Sequence, residues 1–264
     1  MQIKNNMQDL QDEIQDLRNY KVVKSNDLIQ NTRSQLSLQE QKIVLYLISK
    51  IRPSDDDFIY QNFNMVEFCK VCGIYCDSGG NYKAVKDNIK SLADKSAWVK
   101  LEVGKETLVR WIAKARINER SGTIEIKLDD DMKPYLLQLQ ERFTQYELIY
   151  TLAMKSQYSI RLYELLKSYE FRKWHKFEMN ELKQLLFAEK YIRFPDFKRK
   201  VLDISVREIN DLSDIEITYE IIKVGRRYGK IEFSIKTKKG WKERFETKKK
   251  IEKVINPNQT LICS

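Results

Sequence analysis

Residues 197–235 read FKRKVLDISVREINDL, then SD, then IEITYEIIKVGRRYGKIEFSI: a helix, a strand, a tight turn and a second strand. Phe197, Val201, Ile204 and Leu212 share one side of a helical wheel drawn at about 100° per residue. Arg199, Lys200, Asp203, Arg207 and Asn210 gather on the other. Residues 215–221 and 230–235 alternate apolar and polar side chains, as half-buried strands do, and the turn between them holds Gly225 and Gly229. A helix running straight into a hairpin is the closing half of a winged helix. Two helices should precede it. Residues 159–171, with Ile160, Leu162, Tyr163, Leu165 and Leu166, supply the first, and the segment FEMNEL at 177–182 leads into the second.

The same order stands once more upstream. Ser37 can cap a helix with Glu40 at the capping-box position, and Ile43, Val44, Leu47, Ile48 and Ile51 form its buried stripe before Pro53 ends it. FNMVEF at 63–68 parallels FEMNEL, and residues 63–71 read as a second helix closed by Gly73. Residues 81–97 make a third, with Val85, Ile89 and Leu92 on its apolar face. Strands are expected at 98–103, 108–112 and 123–128, the strand after Trp98 matching that at 215–221. A repeat this long means duplicated domains rather than a solenoid. The expected fold is α+β, two tandem winged-helix domains. An amphipathic segment occupies 1–24, with Met7, Leu10, Ile14 and Leu17 at helical spacing; the first domain covers 25–135, with 25–36 irregular. The second covers 136–240, and a basic tail covers 241–264.

Charge points to the partner. The formal net charge is +10, and 13 Lys or Arg against 4 Asp or Glu fall between Lys223 and Lys253. Such a tract favours approach to a polyanion. On the third helix of the second domain, Arg can pair bidentately with guanine, Asp can accept from cytosine and Asn can pair with adenine. Arg199, Lys200, Asp203, Arg207 and Asn210 are therefore the candidate base readers. A solvated face laced with Arg199–Asp203 and Asp203–Arg207 ion pairs is the bland alternative. The neighbouring turn argues for DNA: Lys223, Arg226, Arg227, Tyr228 and Lys230 put four cations and an aromatic ring at the wing. Gly225 and Gly229 free the backbone there to approach phosphate. In the first domain Lys86 and Lys90 suit backbone contacts, since Lys is a phosphate point charge more than a base reader. Lys173 and His175 read as surface loop residues.

Other chemistries find little support. A nickase needs a tyrosine nucleophile beside a metal held by histidines, and the chain has 1 His. No G-x-x-x-x-G-K-[ST] loop is present for a nucleotide-driven motor. Asp129, Asp130 and Asp131 are consecutive at a strand end and point different ways, so they make a poor magnesium cradle. Cys69, Cys72 and Cys76 have spacing that could converge on zinc or an iron–sulfur centre. A fourth ligand is hard to find, Cys263 lies in the tail, and the flanking apolar residues read as helix core. The expectation is no metal, no cofactor, no catalysis and no structural disulfide. No run of about 18 apolar residues exists to span a membrane. The acidic, apolar-poor start is no signal peptide, so a cytoplasmic protein is expected.

Four segments in order also carry a resemblance: LQEQKI at 38–43, RLYELL at 161–166, Glu208-Ile209-Asn210, and DIEITYE at 214–220 followed by Gly225-Arg226-Arg227. Together they resemble the Rep initiators of iteron-containing, theta-replicating plasmids, over roughly residues 21 to 236. The resemblance implies a second winged helix that reads directly repeated origin DNA, the iterons. It implies monomers active at the origin and dimers that repress the initiator's own promoter or hold origins apart, a means of copy control. It also implies contact with host initiator or helicase-loading proteins. The cysteine cluster and the tail after Lys238 belong to no part of the shared pattern. Residues alone fit a winged-helix transcriptional regulator equally well, and only the resemblance favours the initiator.

Overall fold

The computed structural model describes residues 20–52, 54–74, 82–102, 104–225 and 227–255. The amphipathic segment expected from Met7 to Leu17 lies outside them, as do Cys76, Cys263 and Arg226. Two compact units result: unit 1 takes residues up to 28 and 34–152, unit 2 takes 29–33 and 153 onward.

Unit 1 comprises β1 (Lys21–Ser25), α1 (Leu38–Ser49), β2 (Gln61–Asn64), α2 (Met65–Cys72), α3 (Lys83–Ala93), β3 (Ser96–Glu102), β4 (Lys105–Arg110), β5 (Ile112–Asn118), β6 (Thr123–Leu128) and β7 (Phe143–Glu147). The capping box at α1 is formed: the Ser37 hydroxyl accepts from the Glu40 amide at 3.3 Å, and Glu40 Oε2 accepts from the Ser37 amide at 2.6 Å. The Glu40 side chain is buried and also accepts from Lys95 and Ser91, joining α1 to the end of α3. Asn64 caps α2 by accepting from the Val66 and Glu67 amides, and Gly73 closes that helix at φ +65°. Tyr46, Phe63 and Phe68 meet with ring centroids 5.1–6.1 Å apart at the centre of the unit.

Four expectations change here. The segment expected to be irregular from 25 opens on the last residue of β1 and a short helix at Asn26–Gln30, and β1 itself takes up the end of the segment expected to be amphipathic. β1 pairs antiparallel with β7, from Lys21 opposite Glu147 to Ser25 opposite Phe143, so the first unit runs to 152 rather than ending at 135. The strand expected at 108–112 breaks at Trp111, which turns inward with 4% exposure and donates to the Ser34 hydroxyl at 3.3 Å. Finally, the three-stranded sheet runs β5–β6–β2, so the wing of this unit is β5–β6 and the β3–β4 hairpin is additional. Alternation alone did not separate two successive hairpins. On β3–β4, Trp98 (53% exposed) faces Leu108 (46% exposed) across the ladder.

The cysteines are core residues of α2, both buried. Cys69 is held in a disulfide, contrary to the reduced thiols expected, while Cys72 is a free thiol that burial holds far above its ordinary pKa.

Unit 2 comprises α4 (Gln157–Ser168), β8 (Trp174–Glu178), α5 (Met179–Leu185), a long third helix, β9 (Ile215–Val224), β10 (Arg227–Thr237) and α8 (Trp241–Ile255). The third helix is α6 (Phe194–Phe197), one π turn (Lys198–Leu202) and α7 (Asp203–Leu212). Ser156 caps α4, and the sheet order β9–β10–β8 repeats that of β5–β6–β2. Phe177, Phe197, Val201, Ile209, Ile217 and Phe233 are buried between sheet and helices. The π turn inserts an extra residue and rotates everything after it. Ser205 therefore takes the buried place that a straight wheel gives Ile204, which is half-buried.

The tail expected from 241 is folded as far as Ile255. Ile251 and Thr247 of α8 are buried against the end of α7, and Lys250 pairs with Asp211 at 2.5 Å. Lys238 anchors the junction: its ammonium donates to the Asn210 and Ser213 carbonyls at 2.5 and 2.8 Å and to the Thr247 hydroxyl at 3.2 Å. A cation at a helix C-terminus is stabilised by the unpaired carbonyls it meets there.

Candidate nucleic-acid interface

The third helix of unit 2 starts where Pro195 fits the first turn, its missing N–H costing nothing at that position. Phe194 just before it stacks on Tyr228 of the hairpin, with centroids 4.1 Å apart and ring planes at 25°. Helix start and wing tip are thereby fixed against each other.

Arg199, Lys200 and Arg207 all project into solvent. Among the described residues Arg199 has only a loose ion pair with Asp196, at 3.5 Å, and the Lys200 ammonium lies 5.9 Å from the centre of the Tyr191 ring. Arg207 makes no hydrogen bond or ion pair among the described residues. Neither Arg199–Asp203 nor Asp203–Arg207 forms a pair. Asp203 is instead held by Lys198, at 2.8 and 2.9 Å, and by the Tyr219 hydroxyl at 3.1 Å. Sequence reading missed both partners. The alternation of β9 could have found Tyr219, which lies on the same face as buried Ile215 and Ile217. Lys198 could not be found, because only the π turn brings it over Asp203.

Asn210 does not belong to this face. Its Oδ1 accepts from the Ile217 amide at 2.7 Å and its Nδ2 donates to the Ile217 carbonyl at 3.0 Å, which bolts α7 to β9 and occupies the edge that would read adenine. The rotation at the π turn explains the error. Glu208 is similarly engaged, accepting from the Lys155 and Ser156 amides at the start of α4.

In the hairpin, Lys223 and Arg227 are exposed beside the turn, with Lys223 lying 5.5 Å from the Tyr228 ring centre. Tyr228 spends one ring face on Phe194, so its role is partly to hold the wing. Lys230 is half-buried and paired with Glu178 at 2.8 Å, set back from the tip. Gly225 adopts φ +62° with open space around it, which suits a turn free to meet a ligand. Gly229 has another reason: a Cβ there would come within 2.5 Å of the Val224 side chain.

The basic tract is thus divided in use. Lys236, Lys238 and Lys250 serve the fold, whereas Lys223 and Arg227 face solvent at the wing. In unit 1, Lys86 pairs with Glu119 and Lys90 with Asp94 on the exposed side of α3, both at the surface. His175 is a strand residue rather than a loop residue. It stacks on Tyr169 at 3.5 Å and 7°, and burial together with nearby Arg172 lowers its pKa to about 4. Among the described residues, no group of three His, Cys, Asp or Glu could hold a metal ion, and no helix is long and apolar enough to cross a membrane.

Comparison with known proteins adds independent findings. The family model described as Initiator Replication protein, WH1, matches residues 21–167, and that described as Initiator Rep protein, WH2, matches residues 178–235. The PI protein of Escherichia coli is 30% identical over 145 residues, which are 48% of this chain and 47% of that protein. A replication initiation protein of Escherichia coli is 23% identical over 210 residues, 75% of this chain and 65% of that one. The matches thus span about half and two thirds of these relatives. Among solved structures, the Pi initiator protein in complex with iteron DNA superposes with a TM-score of 0.68 at 21% identity, covering 84% of this chain and 99% of that chain. At that identity the likeness is one of fold.

Proposed function

The chain belongs to the Rep initiator family, and from that premise we propose that it initiates plasmid replication by binding directly repeated duplex DNA at the origin. One observation carries the reading: in unit 2 the exposed Arg199, Lys200 and Arg207 of the third helix adjoin a wing bearing exposed Lys223 and Arg227. Arginine on a groove-entering helix reads base edges, while cations on a hairpin serve phosphates or the minor groove. Lys230, set back from the tip, adds to the same positive field, and Arg226 adds one more positive charge to the sequence there. Unit 1 contributes backbone contacts through Lys86 and Lys90 once their surface carboxylate partners yield to phosphate, a cheap exchange for exposed pairs. The crystallised Pi initiator holds iteron DNA on a like fold, and the same class of site is the ligand proposed here.

The protein acts by binding and assembly in the cytoplasm, without chemistry of its own. Its further partners are a second copy of itself, in a dimer that represses its own promoter, and host initiator or helicase-loading proteins. The decisive experiment joins the gene and its upstream repeats to a selectable marker that has no other origin. Replication of that circle in a suitable host is the expected result. Tight binding to the repeats with no replication would reduce the protein to a regulator.

A further inference from the structure

Among the cations on the reading face of the third helix stands the Asp203 carboxylate, and it is not left to solvent. Asp203 is about half exposed, yet three hydrogen bonds hold it: two from Lys198 and one from Tyr219. These partners come from different elements, which a chance surface pair does not require. In a straight α-helix, positions five apart point about 140° away from each other. Across the π turn the Asp203 amide instead donates to the Lys198 carbonyl, and the two side chains stand one above the other. Tyr219 reaches the same carboxylate from β9. Its phenol is kept protonated by burial and by Asp203 itself, so it serves as a donor.

Two physical problems are met at once. An anion carried toward DNA phosphates is repelled, and Lys198 offsets that charge locally. An exposed carboxylate also rotates freely, and Tyr219 fixes which lone pairs point outward. Three donors leave acceptor capacity on a group with about four lone-pair sites. Freed from Asp203, Arg199 and Arg207 remain available for DNA.

We infer that Lys198 and Tyr219 are specificity-determining positioning residues, which hold the Asp203 carboxylate as a fixed acceptor for one base amino group of the recognised site. The inference rests on the proposed DNA-reading role of the third helix and names how one position of the site is read.

The test begins by selecting the preferred duplex of the full chain from a randomised DNA library, then repeats the selection with variants. Tyr219→Phe should relax the preference at the same base pair as Asp203→Asn. It should weaken the selected duplex about tenfold, as loss of one hydrogen bond to a charged group does, and leave an unrelated duplex unchanged. The double variant Tyr219→Phe/Asp203→Asn should bind no more weakly than Asp203→Asn alone. Lys198→Gln should weaken both duplexes, and adding Asp203→Asn should restore much of the loss by removing the uncompensated anion. If Asp203→Asn shifts the preference and Tyr219→Phe does not, the positioning role is wrong while the reading helix stands. Equal losses on both duplexes with a lowered melting temperature would make the hydroxyl merely structural and overturn the inference too. If even Arg207→Ala alters no preference, the helix does not read bases, and the underlying proposal falls with it.

Discussion

Arg207 stands exposed and uncommitted on the third helix, so its removal tests base reading with little effect on the fold. Arg207→Ala should cost about 1–3 kcal/mol on the cognate repeat and much less on random duplex; equal losses in a binding titration would move it to the phosphate class. Two other side chains tie stability to pH. Burial raises the Glu40 carboxyl, but Lys95, Ser91 and the Ser37 amide outweigh it and hold the group below its ordinary value of 4.5. A depressed acid contributes above its unfolded pKa and is lost as pH falls through the folded one. Glu40→Gln should therefore cost about 1–3 kcal/mol at neutral pH, and visibly less in acid, as read from urea midpoints. His175 works in a higher window. Its pKa falls from 6.5 in the unfolded chain to about 4 in the stack, so the unfolded state binds the proton first. Stability should decline as pH drops from 6.5 toward 4, and His175→Phe should flatten that decline. The exposure of Arg199, Lys200 and Arg207 was legible. It was not for Asn210, whose side chain a straight wheel points the wrong way.

At the level of elements, wing and hairpins separate by charge and apolarity. The β9–β10 turn should act chiefly through released counterions. Replacing Arg226 and Arg227 together should flatten the salt dependence of binding by at most about two units of slope, at roughly 0.9 per phosphate contact. An unchanged slope would take the hairpin off the DNA. The β3–β4 hairpin makes a different offer. Trp98 and Leu108 face each other on its outer side, while Trp111 is core. If copies of the chain meet on this face, Leu108→Lys should shift sedimentation toward monomer with binding to a single repeat intact. An unchanged dimer would place the interface elsewhere. Helices with caps and stripes were readable because capping chemistry and helical period are local. The two-hairpin order in unit 1 was not, because which strand β2 joins is decided by pairing across distant sequence.

Across the whole molecule, the repeated order of three helices and a hairpin was legible from matching segments such as FNMVEF and FEMNEL, but the strand before each second helix was not: Phe63 and Asn64 were read as helix and His175 as loop. The boundary was not, since nothing in the composition near residue 135 announces that β7 must return to β1. That pairing has a consequence in time. The three-stranded core of unit 2 is drawn from nearby sequence, whereas β1 waits for a partner made only after nearly all the rest of unit 1. Closing so wide a loop comes before any reward from the contacts, and chains dominated by distant pairings fold slowly. Refolding from denaturant should therefore show unit 2 regaining amide protection first, with β1 and β7 gaining theirs together and last. In the interval β1 is an unpaired edge of four buried-type residues, KVVKS less its first lysine. A newly made or heat-shocked chain is most exposed to self-aggregation there, so the number of folded copies depends on how quickly one strand finds its mate.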